Sequence, residues 1–407
     1  MKTKNISDKS YFRNFSAMNR GTYSIEKKEI KENRKMEKNY QKLIGKRCNS
    51  CVLPVSYEQA DFRKGECMYC KKFEAKTFKG ADALVQELNL KENERIGITV
   101  SGGKDSIYMW GQLVDLLGAN RVVAFTYYKD KLSSPVALEN VHKAQAKLGS
   151  QLVQIDDYDS VKYFRYNLKV LLEKPDPAAV RVLLCVGCRY GITENLYKRG
   201  EEMGIQKFVS GASYLELAPF KEELLKAKSE KGDIDEGLER IIAERPDLDW
   251  RENLDRIRRD QKYKYKNNDS LENNFQKGYK YKLYDFDDYF ENVPDQTEKE
   301  VKRRYDWKKT NRSWHFDCRI EDLKDVFYYG MLGYTELDFK LSAMVRYNLI
   351  SRDDAMDQLY QQAVEIRNSF PRMKELLNEL GCQDCIEDLR EFYDTAKFLG
   401  GADNEWN

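Results

Sequence analysis

The chain runs to 407 residues, 41% hydrophobic and 34% charged, with 70 Lys+Arg against 68 Asp+Glu and a formal net charge of +2. That length leaves room for two or three domains and more than one core. A balance this even neither demands nor excludes a nucleic-acid partner. No apolar run approaches membrane-spanning length, and residues 1–40 are polar and Lys-rich, unlike a signal peptide. The expectation is a cytoplasmic protein with no membrane partner. Its nine cysteines are then thiols, metal ligands or redox groups rather than structural disulfides.

Residues 1–44 form a charged lead-in with weak periodicity, read as a solvated arm. Cys48-Asn49-Ser50-Cys51 follows, then fifteen residues, then Cys67-Met68-Tyr69-Cys70. Four soft ligands in two knuckles suit tetrahedral zinc, with Gly65 allowing the turn before the second knuckle. Such a closed site leaves no position for substrate, so residues 45–76 are expected to be a structural zinc ribbon docked on the domain that follows.

From about 77 to 220 strand and helix patterns alternate. Helical periodicity covers 81–88, and a β-branched run over 96–100 ends in Ser101-Gly102-Gly103-Lys104-Asp105-Ser106, where an apolar-periodic helix begins. Glycines there permit positive φ and leave no Cβ between backbone amides and an approaching oxyanion. The helix presents unpaired N–H groups and its positive dipole end to the same point. Ser101, Ser106 and Lys104 can add donors, and Asp105 can hold a magnesium ion against phosphates. The spacing is neither a Walker A loop nor a GxGxxG turn. Further strands are predicted over 122–127, 151–155 and 207–211, with a helix over 137–148. This alternation predicts an α/β fold, an open parallel sheet with helices on both faces and ligand at the carboxyl ends of the strands. Those ends carry Tyr127 and the stretch Gly211-Ala212-Ser213. His142, in the helix after the second strand, has no orienting carboxylate pattern beside it and is read as a surface or core residue.

A third pair, Cys185-Val186-Gly187-Cys188, precedes Arg189 and a helical run over 193–203. It has no partner pair nearby, so a second closed ribbon is not its natural reading. A helix N-terminus and Arg189 would both favour thiolate there. Residues 221–278 form a charged insertion, read as helical or partly mobile; in and just after it Lys262-Tyr263-Lys264-Tyr265-Lys266 and Lys277-Gly278-Tyr279-Lys280-Tyr281-Lys282 interleave cations with aromatics. RNA-binding surfaces use that mix, and a strand edge with solvated lysines explains it equally well. A fifth strand is read over 281–284, followed to residue 407 by a helical part in which Ser351 and Asp354 mark a helix start. Cys318 is the one cysteine outside the four pairs, and Cys382-Gln383-Asp384-Cys385 is half a zinc site.

Ser101-Gly102-Gly103-Lys104-Asp105-Ser106, in its strand–helix setting, resembles the PP-loop of the ATP pyrophosphatases. That resemblance implies that Ser101, Gly102, Gly103, Asp105 and Ser106 bind the phosphates and magnesium of ATP, with Lys104 a lesser charge. It also implies that Tyr127 approaches the adenine and that Gly211 and Ser213 belong to the family's second loop. Members transfer AMP to a substrate oxygen. The Cys185–Cys188 pair resembles that of the tRNA 2-thiolation enzymes of this group, which faces the ATP site and carries sulfur or ligates an iron–sulfur cluster. The ribbon and tail resemble the N-acetyl sugar amidotransferases. The likeness covers roughly residues 45–220 and 279–370, and Cys185–Cys188 departs from that amidotransferase pattern and points toward sulfur.

The expected activity is ATP-dependent adenylation of an acceptor oxygen and its replacement by sulfur from sulfide or a sulfur donor protein. The acceptor is a small metabolite or natural-product amide or acid, free or carrier-bound, or a tRNA base; the near-neutral charge leans toward the small molecule. Cys185 and Cys188 either pass a persulfide or, with Cys318 or in its place Cys382 or Cys385, ligate a [4Fe-4S] cluster. Two other readings stay open: an ammonia-dependent N-acetyl sugar amidotransferase served by a separate glutaminase, and a non-enzymatic zinc-ribbon RNA-binding protein. A homodimer fits either enzyme.

Overall fold

The computed structural model describes residues 42–185, 191–211, 213–245, 281–310 and 317–396. Five strands are built from the β-branched and aromatic runs: β1 Ile96–Thr99, β2 Val122–Tyr128, β3 Gln151–Asp156, β4 Lys207–Ser210 and β5 Lys282–Asp285. They pair in parallel in the order β3-β2-β1-β4-β5. The fold is therefore the expected α/β sheet. Gly97 lets β1 lie close to β4, since a Cβ there would meet the Phe208 ring at 2.2 Å. The strand order reverses between β1 and β4, and connections leaving those two strands in opposite directions open a crevice at their carboxyl ends.

One apolar core lies against the sheet under α1 (Ala81–Leu88), α2 (Lys104–Leu117) and α3 (Pro135–Leu148). Helix α9 (Pro294–Tyr305) returns from the carboxy-terminal part to pack on α2 and α3, bringing Tyr305 and Trp307 into this core. Val123, Phe125, Phe208 and Tyr281 fill the other face with Leu196 and Tyr197, the latter from α6 (Tyr197–Glu202). Tyr281 is stacked on Tyr197 at 4.4 Å and is 3% exposed, so it cannot serve as a base-stacking platform. Lys282 opens β5, and the rest of the Lys/Tyr interleaving lies outside the described residues.

A second core is helical. Helices α4 (Ser160–Glu173) and α5 (Pro177–Leu184), which connect β3 toward β4, join α7 (Phe220–Ala227) and α8 (Ile234–Ala243). The remaining members are α10 (Glu321–Leu332), α11 (Glu336–Arg346), α12 (Arg352–Arg367), α13 (Phe370–Glu379) and α14 (Ile386–Thr395). The described part of the charged stretch is helical: α7 and α8 bury Phe220, Leu225, Leu238 and Ile241, and the buried Lys221 of α7 pairs with Glu336 of α11. Asp233 caps α8, accepting the Glu236 amide at 2.8 Å. The predicted Ser351 cap opens α12, and Thr335 with Asp338 closes a capping box on α11.

The cysteine ribbon packs on these carboxy-terminal helices, not on the sheet domain that follows it in sequence. Arg47 forms a buried ion pair with Asp338 of α11. The Arg352 guanidinium donates to the carbonyls of Cys48 (2.9 Å) and Cys51 (3.0 Å). Tyr57 donates its hydroxyl proton to Glu223 of α7.

Candidate active site

The loop between β1 and α2 is pressed against the first turn of α3. Gly102 has φ +86°, and a Cβ on it would sit 2.0 Å from the Ala137 carbonyl oxygen, so both backbone sign and space require glycine. Ser106 ties the loop together: its Oγ donates to the Gly103 carbonyl (3.0 Å) and accepts the Ser101 amide (3.2 Å). As the first three residues of α2, Lys104, Asp105 and Ser106 have amides with no carbonyl one turn back to bond. They and the dipole make the loop a receptor for an anionic oxygen.

Beside it, at the carboxyl ends of β1, β2 and β4, opens a cavity of about 300 Å³. Ser101 and Ser106 line it from the loop, Tyr127 from β2, and Gly211 from the end of β4. The Tyr127 ring lies against Gly191, where a Cβ would meet it at 1.8 Å, and its hydroxyl donates to Asp157. Ser213 lies off the cavity wall; its Oγ caps the short turn Tyr214–Glu216 by accepting the Leu215 amide at 3.3 Å. His142 is exposed.

Asp105, half-buried, accepts from Lys104 Nζ (2.5 Å) and from Asn292 Nδ2 (2.8 Å). Burial works to raise its pKa, but the Lys104 and Lys340 ammoniums, with hydrogen bonds from Lys104 and Asn292, hold it below the usual carboxylate range. It is therefore a fixed anion at the loop's edge. Nearby Asp287 behaves oppositely. Burial pushes its carboxyl up to about 7 against the Tyr214 amide that bonds it at 2.5 Å, and Asp285 and Asp105 add to the rise. Asn292, Lys340 and Asp287 were not singled out by sequence, since each enters from an element far along the chain.

The cysteines separate into three environments. Sγ distances of 3.9 Å (Cys48–Cys70), 3.8 Å (Cys51–Cys67) and 3.6 Å (Cys67–Cys70) bring four sulfurs within one coordination sphere. Tetrahedral zinc with bonds of about 2.3 Å sets sulfurs about 3.8 Å apart, so the cage fits one such ion. Amides of Cys67 and Leu53 and the Arg346 guanidinium point donors at these sulfurs, as a thiolate shell needs. Cys382 and Cys385 are buried in the helical core, and burial pushes their thiols up to about 11 and 12, an inert packing role.

Cys185 and Cys318 are half-buried. Cys185 ends α5. It lies within the electrostatic environment of Lys324, a buried ammonium that burial would depress but that Glu321, Glu336 and Cys185 hold well above its ordinary range. Cys318 bridges to Ser133 between two backbone hydrogen bonds, Ser134 amide to Asp317 carbonyl (3.2 Å) and Arg319 amide to Leu132 carbonyl (3.0 Å). Asp317, Ser133 and Ser134 line the cavity, and neither Cys318, the next residue after Asp317, nor Cys185 is among the lining residues. Cys188 lies outside the described residues. Among the described residues, three or more potential ligands converge only at the four ribbon cysteines.

No family model matches the chain, and no curated relative matches it in sequence. Among solved structures it is similar to the U34-tRNA thiolase NcsA from Methanococcus maripaludis with its [4Fe-4S] cluster. That pair is 12% identical, covers 81% of this chain and 88% of the thiolase, and has a TM-score of 0.32. A second is the glutamine-dependent NAD+ synthetase from Acinetobacter baumannii in complex with ADP, at 18% identity and a TM-score of 0.27. There the match covers 58% of this chain and 46% of the synthetase.

The ribbon yields a direct expectation. The purified protein should carry about one zinc per chain, and Cys48→Ser should release it and cost more than about 4 kcal/mol of stability, as loss of a structural metal does. Metal analysis with thermal melting checks this; a stable, zinc-free protein with residues 45–76 ordered would contradict it.

Proposed function

We propose that the chain is a PP-loop-type ATP-utilising transferase that adenylates an acceptor oxygen and replaces it with sulfur. The observation that carries the nucleotide part is the Ser101–Ser106 loop, built at the strand-order reversal beside a cavity of nucleotide scale. Ser101, Ser106 and the first amides of α2 receive the phosphates, with Gly102 and Gly103 giving access. Asp105, kept ionised, is the hard oxygen ligand that magnesium requires. When it turns to the metal, Lys104 is released toward the phosphates. Tyr127 and Gly211 border the base, and Ser213 supports the second loop from behind.

The acceptor oxygen attacks the α-phosphorus and the bond to pyrophosphate breaks. This converts a poor leaving group, an amide or acid oxygen, into AMP. A persulfide on Cys185 or Cys188, loaded by a sulfur donor protein, attacks the activated carbon and the carbon–oxygen bond breaks, releasing AMP. The second thiolate then attacks the protein-bound sulfur, freeing the thiocarbonyl and leaving a disulfide that a cellular dithiol must reduce. Alternatively Cys185, Cys188 and Cys318 would hold an iron–sulfur cluster, which when bound supplies an open iron for sulfide. Cys318 bridges to Ser133 and follows Asp317, both cavity-lining residues, which supports a sulfur role for this region. The acceptor is a small amide or acid, free or carrier-bound, or a tRNA base.

One observation favours a second reading. Cys185 is not among the cavity-lining residues, which suits an amidotransferase using ammonia from a separate glutaminase. ATP–pyrophosphate exchange tests the adenylation common to both, and comparing sulfide with glutamine plus a glutaminase as the donor separates them.

A further inference from the structure

The peptide joining Gly102 to Gly103 is a weak point in a phosphate receptor. Neither residue has a Cβ to resist rotation, so this plane can turn over at little cost. Because the peptide is planar and trans, its carbonyl and N–H point in opposite directions. Turned one way it offers Gly103 N–H to an anion; turned the other way it offers the Gly102 carbonyl, which repels one. Gly102 cannot be replaced by a stiffer residue, since a Cβ would strike the Ala137 carbonyl at 2.0 Å.

Two side chains from distant parts of the chain hold this carbonyl. Trp307 donates Nε1–H to Gly102 O at 3.0 Å, and Asn140 donates Nδ2–H to the same oxygen at 3.3 Å. Asn140 is itself locked by the Trp307–Lys308 segment: it donates to Lys308 O (2.9 Å) and accepts from Lys308 N (2.9 Å). Both side chains are buried, Asn140 at 1% and Trp307 at 4% exposure, so each hydrogen bond is made out of water's reach, where losing it is expensive. With the carbonyl held there, the Gly103 amide points the other way, toward Ser101 Oγ at 3.4 Å, and Ser101 lines the cavity.

We propose that Asn140 and Trp307 are positioning residues for the phosphate end of the nucleotide: they fix the Gly102–Gly103 peptide so that its N–H, not its carbonyl, faces the anion. This rests on the nucleotide-binding reading above. It assigns a function to two residues outside the loop, neither of which touches the ligand.

The test measures binding to the full-length protein by calorimetry with three probes: MgATP, magnesium pyrophosphate and adenosine. Trp307→Phe keeps an aromatic ring and removes one N–H, and Asn140→Leu removes both donated bonds at similar size without adding a charge beside the anion site. Each should weaken MgATP and pyrophosphate by the same factor, about three- to tenfold, as expected for a lost hydrogen bond. Adenosine should stay within twofold. Tyr305→Phe, in the same core with a hydroxyl that has no hydrogen-bond partner among the described residues, should change none of the three. A general packing defect would weaken adenosine as much as pyrophosphate, and that result, or unchanged MgATP affinity in a folded Trp307→Phe protein, overturns the inference. If the wild-type chain binds neither MgATP nor pyrophosphate, the nucleotide reading itself fails and takes this inference with it.

Discussion

Asp105→Asn should abolish adenylation while leaving the fold intact. The substitution keeps the size of the side chain and an oxygen that can accept the Asn292 amide, now 2.8 Å away, so the loop retains its shape. What it removes is charge. That charge is neutralised by Lys104 at 2.5 Å and supported by Lys340, and the two ammoniums keep the carboxylate ionised despite burial. Without it a magnesium ion loses a protein ligand, and Lys104 is left to pair with phosphate in the ground state rather than as charge develops. Losing one preorganised electrostatic group typically costs about 100- to 1000-fold in rate. We therefore expect ATP–pyrophosphate exchange to fall by at least about 100-fold at unchanged melting temperature. Near-normal pyrophosphate exchange by this variant would remove adenylation from the reading.

The second large effect separates sulfur from ammonia. Cys185→Ser and Cys188→Ser should each keep pyrophosphate exchange within about threefold yet reduce thiolated product by more than about 100-fold, because a serine hydroxyl neither carries persulfide nor attacks a disulfide sulfur. The contrast between the two half-reactions is the diagnostic. A misfolded protein would lose both, and an enzyme that never uses these thiols would lose neither. Under the cluster version, protein prepared without oxygen is brown and Cys318→Ser bleaches it, whereas under the persulfide version Cys318→Ser leaves the spectrum unchanged. Full turnover of both Cys185→Ser and Cys188→Ser with glutamine-derived ammonia would put the amidotransferase reading in place of the sulfur one.

Several of these sites were legible before any fold was known. Strand ends predicted at 100, 127, 155 and 211 fall within one residue of those observed, because a β-branched run and the turn chemistry that stops it are neighbours in the chain. The loop was legible for the same reason: Gly102, Gly103 and Ser106 shape it with bonds spanning five residues or fewer. Cys48, Cys51, Cys67 and Cys70 converge as their spacing implied, through a Gly65 whose φ of +80° makes the turn. Composition left α7 and α8 open between helical and mobile, because only a short apolar stripe among many charges buries Leu225, Leu238 and Ile241.

What tertiary structure alone decided is everything that reaches these sites from far away. Arg47 finds Asp338 at a separation of 291 residues, which seats the ribbon on α11 and not on its sequence neighbour. Asn292 reaches Asp105 across 187 residues, and Trp307 reaches the Gly102 carbonyl across 205. No periodicity or spacing encodes such pairs: each is a polar group whose partner is chosen when α9 and α11 are packed against the sheet domain, and whose donor must then be satisfied because the packing has excluded water. The sequence by itself determined the local chemistry of the loop and the ribbon; the packing of the carboxy-terminal segments determined which side chains orient and charge them.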